Sequence, residues 1–214
     1  AIVLPVDAAL SQAGENRVEL EKVLHRYQSN PSDSLKYRAA CFLIENMPSY
    51  TYYKGKLLEQ YLTFFTLLQE ARSKKVYPQA MVDSIRRMYG PFSLDSLQYC
   101  KDVLIVDSAY LCNNIDWAFK VWQEQPWGKN VSFADFCEYI LPYRIGDETL
   151  SYWREDIYRK YNPLLDSLRA STVLDIEDPL VAARCLCDSL RKRSRFFTTT
   201  VPQGLPHVGP EIAQ

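Results

Sequence analysis

The sequence is poor in glycine and histidine and contains no long apolar run. Only 7 glycines and 2 histidines occur among its 214 residues. Few glycines argue against many tight β-turns and against glycine-lined phosphate loops. The motifs G-x-x-x-x-G-K-[ST], G-x-G-x-x-G and G-x-S-x-G are all absent from the sequence, which removes the common phosphate-binding and hydrolase signatures. No segment reaches the ~18 apolar residues of a membrane span, so we expect no transmembrane helix.

The histidines and the six cysteines are poorly placed for catalysis or metal binding. His25 falls on the exposed part of an amphipathic helix and His207 in the tail, so neither suits a Ser-His-Asp or Cys-His arrangement. Cys185 and Cys187 point to different sides of a helix and cannot readily share a zinc ion; we expect one buried thiol and one at an edge. We expect small buried hydrophobes at the cysteines inside helical patterns: Cys41, Cys112, Cys137 and Cys185. The sequence thus predicts no catalytic residue, no cofactor site and no metal site.

Charge and chain ends bear on partners and location. The net charge is −1, which gives no electrostatic case for nucleic acid or an anionic membrane. Since the sequence begins at Ala1 instead of Met, we expect that a signal peptide or lipoprotein leader was removed or that the sequence is a piece of a longer chain. We expect an exported protein, periplasmic or a cell-surface lipoprotein. A cytoplasmic location stays open, because six cysteines in a chain of this length do not force disulfides.

Apolar residues recur at helical spacing along most of the chain, and strict alternation is nearly absent. Prolines occupy most of the breaks between the periodic segments. The predicted helices cover 15–27, 35–46, 55–68, 79–89, 104–124, 133–141, 147–162 and 180–190. This pattern predicts an all-α fold, an irregular bundle of about six to eight helices with short Pro-containing breaks and an unstructured C-terminal tail.

Several boundaries follow from local signals. The segment 104–124 is apolar around most of its circumference, which predicts a central, largely buried helix. Ser132 is a predicted N-cap; Asp147 is another, for a helix that ends before Pro163. Residues 1–14 are predicted to be a lead-in, 15–197 a single helical domain, and 198–214 a linker toward a C-terminal domain.

The stretch from Asp116 to Arg154 contains all four tryptophans, interleaved with charges. Most of these tryptophans lie at helix-packing spacing, so we favour a polar-aromatic core in which Arg144 and Arg154 pair with Glu138 or Glu148. The alternative is a glycan- or peptide-binding groove, because aromatic faces beside carboxylates and arginines suit sugars. Glu138 and Glu148 are also conceivable as a glycosidase pair. The candidate ligand or polar-core residues are Trp127, Glu138, Tyr143, Arg144, Glu148, Trp153 and Arg154, with Trp127 and Tyr143 the best placed to face a ligand.

Three motifs in this stretch carry a family resemblance. They are W-x-x-x-P-W at Trp122–Trp127, F-x-x-F-C-E-Y-I-L-P-Y-R at Phe133–Arg144, and E-x-L-x-x-W-R at Glu148–Arg154. Together they resemble the N-terminal helical region of large transglutaminase-like proteins of Bacteroidetes bacteria. The resemblance is looser over Ser34–Ile44 and the later helices.

In such proteins the helical region precedes a papain-like core with a catalytic cysteine, histidine and aspartate. The resemblance implies a nucleophile that follows a glycine at the head of a helix, where a thiolate is stabilised. No glycine here is followed by cysteine at one or two positions, so the triad carries over onto no residue of this chain. The resemblance therefore implies a non-catalytic accessory domain that supports or gates a C-terminal transglutaminase-like domain of the same polypeptide.

Overall fold

A computed structural model describes residues 5–54, 58–60, 63, 66–67, 70, 78–89, 98–146, 150–170 and 177–193. Over these residues the chain is largely helical, which confirms the predicted all-α class. The α-helices are α1 (Pro5–Gln12), α2 (Arg17–Gln28), α3 (Ser34–Asn46), α4 (Pro78–Tyr89), α5 (Ser108–Glu124), α6 (Phe133–Asp135), α7 (Trp153–Ala170) and α8 (Pro179–Arg193). A π-helical turn, Phe136–Ile140, continues α6. Among the helices described, none combines the length and apolar character needed to cross a membrane.

Helix α5 lies at the centre of the core, as its all-round apolar pattern predicts. It packs against α2, α3 and α7, and Leu111, Ile115 and Ala118 on it are fully enclosed. The facing surfaces are apolar stripes of α2, such as Leu20 and Val23. Each large apolar side chain buried in this way contributes about 1.5–3 kcal/mol, so the contact between these helices is the main source of stability.

The predicted lead-in over residues 1–14 is structured over most of its length. Pro5–Gln12 forms α1, and Ala9, Leu10 and Ala13 are buried in the core. Helix α1 packs on α2 and α3. Its apolar positions are small and few, which is why the periodicity is weak in the sequence.

A short β-ribbon is present that the sequence pattern does not reveal. Strand β1 (Thr51–Lys54) pairs antiparallel with β2 (Gln98–Lys101), with Thr51 opposite Lys101. Four residues are too few to display a period of two. The ribbon brings Asp102, the next residue along the chain, against Tyr50, whose carbonyl accepts from the Asp102 amide at 3.0 Å.

Helix boundaries agree with the sequence signals in most but not all places. Ser132 caps α6, since its side chain accepts from the Asp135 amide. The helix predicted to end before Pro163 starts later, at Trp153, and continues through that proline to Ala170. A proline inside a helix removes one backbone bond, and contacts on both sides of it hold the helix here. Gln125 donates to the Asn162 side chain at 2.7 Å, and Leu165 is buried.

Three predicted features fall wholly or largely outside the described residues. The helix predicted over 55–68 lies there for the most part. The Asp147 cap and the tail over 198–214 lie there entirely.

Gly128, in the 3₁₀ turn Pro126–Asn130, permits the close return of the chain after α5. A Cβ atom at this position would lie 1.7 Å from the Trp122 carbonyl oxygen. We expect Gly128→Ala to lower the free energy of unfolding by about 2–3 kcal/mol, because backbone must move to admit the methyl group. Urea denaturation measures this loss.

Gly14→Ala is the matched control. A Cβ atom there makes an ordinary van der Waals contact, 3.9 Å from Leu104, so the strain comes from the φ of +54° alone. Its expected cost is only about 1 kcal/mol, from the backbone alone. Equal losses in the two variants would contradict the steric account of Gly128.

Glu19 of α2 caps the start of α5 from outside. Its Oε2 accepts from the Ser108 amide at 3.0 Å and from the Ser108 hydroxyl at 2.6 Å. Hydrogen bonds from Lys22 and then from Ser108 lower the pKa of Glu19 from 4.5 to about 2. The stabilisation this carboxylate provides is therefore complete above pH 4.5 and is lost as the pH falls toward 2.

We expect the stability difference between the wild type and Glu19→Gln to shrink as the pH falls through this window. Urea denaturation at a series of pH values between 7 and the acid limit of the fold measures it. Glu21→Gln, which removes a surface pair with Arg17, is the control and should cost under about 1 kcal/mol at pH 7. A pH-independent difference for the Glu19 variant would contradict the capping role.

Candidate functional site

The candidate residues that the structure brings together surround the loop 141–146, between the π-helical turn and α7. Four residues of the predicted set meet there: Tyr143, Arg144, Trp153 and Arg154. Tyr143, Arg144 and Arg154 are buried and Trp153 is half-buried. The loop is thus held from the interior by four of the residues that the sequence predicts as ligand or polar-core candidates.

Arg154, in the first turn of α7, is a buried cation held by neutral acceptors. Its Nε donates to Oδ1 of Asn114 at 2.5 Å. Its Nη2 donates to the carbonyls of Leu141 at 3.0 Å and Pro142 at 2.7 Å, and also to that of Ile140. These carbonyls end the π-helical turn, where the backbone dipoles present partial negative charge that favours a cation. Burial lowers the pKa of Arg154 to about 9, so the guanidinium remains charged at neutral pH.

Arg144 lies in the loop itself and forms a fully buried ion pair. Its Nη2 lies 3.1 Å from Oδ1 of Asp102, and the two side chains are 2% and 0% exposed. Nη1 donates to the Thr51 carbonyl at 3.2 Å, and the Tyr143 hydroxyl donates to Oδ2 of Asp102 at 2.9 Å. Burial and the Asp102 charge raise the pKa of Tyr143, so its hydroxyl stays a donor. The pair joins the loop to the end of the β-ribbon.

The prediction that Glu138 pairs with Arg144 or Arg154 is therefore wrong. That side chain is exposed, Arg144 pairs with Asp102, and Arg154 is held by an amide and three carbonyls. Glu148 lies outside the described residues. Asp102, more than 40 positions away in the sequence, pairs with Arg144 because the ribbon places it beneath the loop. Water is excluded there, so a buried charge needs a partner.

The aromatic residues of the stretch serve mainly as packing elements. Trp122 stacks on Phe136 with ring centroids 4.4 Å apart, and the Trp153 indole donates to the Tyr143 carbonyl at 2.9 Å. The expectation that Tyr143 faces a ligand is wrong, because it is only 3% exposed and lies edge-on to Tyr110. Trp127 is half-buried on its 3₁₀ turn. None of the hydrogen bonds or ring contacts within the described residues joins it to Tyr143 or Trp153.

A second polar network, centred on Asp116, joins three helices. The carboxylate accepts from Lys36 at 2.7 Å, from the Tyr27 hydroxyl at 3.1 Å and from Arg26 at 3.2 Å. Burial and the Asp116 charge raise the pKa of Tyr27. The network holds α2 and α3 against α5. Asp116, the first residue of the stretch from Asp116 to Arg154, therefore has a structural role.

In the described part of the chain, the thiols and the histidine form no disulfide and no metal-binding cluster. All six cysteines are free. Cys112 and Cys137 are buried as expected, whereas Cys41 and Cys185 are half-buried. Cys187 is half-buried too, so the predicted division of the close pair into one buried and one edge thiol is wrong. No three His, Cys, Asp or Glu side chains among the described residues converge as metal ligands, and His25 is exposed.

A shallow pocket lies where the loop meets α3. It has a cavity volume of about 10 Å³ and is lined by Phe42, Leu43, Asn46, Tyr50, Pro142, Tyr143 and Arg144. This is about the space that one water molecule needs, whereas pockets for drug-sized ligands span about 300–1,000 Å³.

Sequence reasoning missed Asp102 and Tyr110, which complete the cluster. Asp102 carries no local signal, since it follows a four-residue strand. The signal for Asn114 was present, because it is a polar residue on a helix that is apolar almost all round. Its amide donates to the Leu141 carbonyl at 2.9 Å, which explains why a polar residue occupies that position.

Comparisons with protein-family models, curated proteins and solved structures yield no match to this chain.

Proposed function

We propose that this chain is a non-catalytic helical accessory domain that supports or gates a neighbouring transglutaminase-like domain of the same polypeptide. The observation that carries the proposal is the use made of Arg144 and Arg154. Arg144 is ion-paired with Asp102 and donates to the Thr51 carbonyl. Arg154 donates to Asn114 and to backbone carbonyls, so both arginines serve to hold the loop. The three sequence motifs described above support the assignment to this kind of protein.

A fixed loop offers a defined surface to a neighbour. Tyr139, Ile145 and Tyr152 lie on the loop 141–146 and on its two flanks, and they are 78%, 68% and 52% exposed. We call these three side chains the loop face. Tyr152 and Tyr143 both pack on Tyr110, which holds the loop and the start of α7 together. Tyrosine is enriched at protein interfaces, because it combines apolar area with few rotamers.

The accessory role is tested by exposing the purified chain to a glutamine-containing peptide and a primary amine. We expect ammonia release at the level of the buffer alone. Release that disappears after alkylation of the chain's cysteines would show a catalytic thiol and overturn the proposal.

The neighbouring domain is tested on the coding sequence beyond Gln214. A Gly-x-Cys followed by spaced histidine and aspartate codons is the expected result. A stop codon directly after Gln214, or a following domain of another kind, would contradict the proposed partner.

A further inference from the structure

The segment that contains the loop face carries charges that folding has sorted by sign. Between Ser132 and Asp156 both basic residues, Arg144 and Arg154, are buried. The described acidic residues stay outside: Asp135, Glu138 and Asp156 are exposed and Glu155 is half-exposed. The sequence of this segment mixes both signs, whereas its described surface carries carboxylates only.

Neighbouring cations compensate this surface only in part. Arg159 pairs with Glu155 at 2.6 Å, and Arg38 lies over the Phe133 ring at 4.6 Å. Lys101 is exposed on the ribbon, opposite Thr51. Glu138 and Asp156 form no ion pair within the described residues. These two carboxylates flank the loop, one on the π-helical turn and the other in the first turn of α7.

From this charge sorting we infer that the loop face binds a protein surface with an apolar centre and a rim of lysine or arginine. Apolar and aromatic side chains in the middle of an interface provide most of the affinity. Charges of opposite sign at the rim select the partner and speed its approach. The inference rests on the proposed accessory function and specifies the chemistry that the neighbouring domain presents. It also explains the buried arginines, which at the surface would repel such a rim.

Three exposed apolar side chains elsewhere in the fold serve as controls. Val18, Met88 and Leu180 are 58%, 69% and 75% exposed, each on a different helix. Val18 lies between Arg17 and Glu19, which carry opposite charges. Single exposed apolar residues of this kind are normal on protein surfaces.

Two synthetic amphipathic helical peptides test the inference. They share the same leucine and phenylalanine positions and carry either lysine or glutamate at every polar position. Fluorescence polarisation measures binding to the purified chain at about 50 mM and about 300 mM salt. We expect the lysine peptide to bind and to weaken at high salt, and the glutamate peptide to bind at least about tenfold more weakly.

Three variants locate the binding. Replacing all three loop-face residues by serine should weaken the lysine peptide at least about tenfold, while Val18→Ser/Met88→Ser/Leu180→Ser leaves it unchanged. Glu138→Gln/Asp156→Asn, which leaves the apolar residues in place, should reduce the salt dependence. Equal binding of both peptides, or an equal loss in the control, overturns the inferred partner chemistry and leaves the accessory role standing. Ammonia release by the chain overturns the accessory role instead.

Discussion

Arg154→Met lowers the free energy of unfolding by about 3–5 kcal/mol, because the buried acceptors around the guanidinium lose their donor. Methionine fills a similar volume but donates no hydrogen bond. The buried Oδ1 of Asn114 and the partly buried carbonyls of Ile140 and Pro142 then lose the arginine as a donor. For a domain whose total stability is about 5–15 kcal/mol, this is a large fraction. Urea denaturation followed by circular dichroism measures the loss.

Arg159→Met is the matched control, five residues further along α7. Its side chain is 69% exposed, and its ion pair among the described residues is with Glu155, one turn earlier. Exposed pairs of this kind contribute under about 1 kcal/mol, so we expect a small change. A loss for Arg159→Met as large as that for Arg154→Met would show that the helix itself, and not the buried contacts, sets the effect.

The second large effect concerns the buried pair of Asp102 and Arg144. Asp102→Asn leaves a guanidinium that is 2% exposed without its counter-charge, and we expect a loss of about 3–5 kcal/mol. The amide introduced by this substitution can still accept from the Tyr143 hydroxyl, so the charge is the main change. Replacing the arginine as well, in Asp102→Asn/Arg144→Met, should restore part of the loss, because no uncompensated charge then remains.

The four proteins of this double-mutant cycle give the coupling energy, for which we expect at least about 1.5 kcal/mol. The same cycle at the surface pair of Glu155 and Arg159 should give under about 1 kcal/mol. Additive losses at Asp102 and Arg144 would contradict a direct interaction between them.

The sequence was sufficient for the helices whose signals are local. Apolar residues on nearly every side of helix α5 predict that it is buried. The residue type of Ser132 and the apolar run that follows it predict the N-cap of α6. Both are properties of adjacent residues, so a single sequence contains them. The first residue of α7 and its continuation past Pro163 depend on contacts with residues distant in the sequence, such as Gln125 with Asn162. Signals in neighbouring residues therefore predict both boundaries incorrectly.

The candidate cluster was predictable only in part of its membership and not in its pairing, because Glu138 is exposed and Asp102 and Tyr110 were missed. Tyr143, Arg144, Trp153 and Arg154 do meet, as the density of aromatic and charged residues suggested. The partner of Arg144 was not predictable, because a β-ribbon of two four-residue strands determines which carboxylate lies beneath the loop. The pattern of aromatic and charged residues predicts both arginines in the core, and both are buried, but it does not indicate that the acidic residues of the segment stay at the surface. The direction of a side chain in a loop is set by tertiary packing, and a loop has no periodic sequence pattern from which it can be predicted.

Hydrogen exchange at the loop tests the central claim, that buried contacts of the two arginines hold it in one conformation. The informative probes are the Leu141 amide, bonded to the Phe136 carbonyl at 2.8 Å, and the Trp153 indole. We predict that both exchange as slowly as the Ile115 amide of the central helix, through opening of the whole domain. In Arg154→Met they should exchange much faster than the Ile115 amide. Exchange in the wild type as fast as at the exposed Ser29 amide, which ends α2, would show that the loop opens on its own and would contradict the claim.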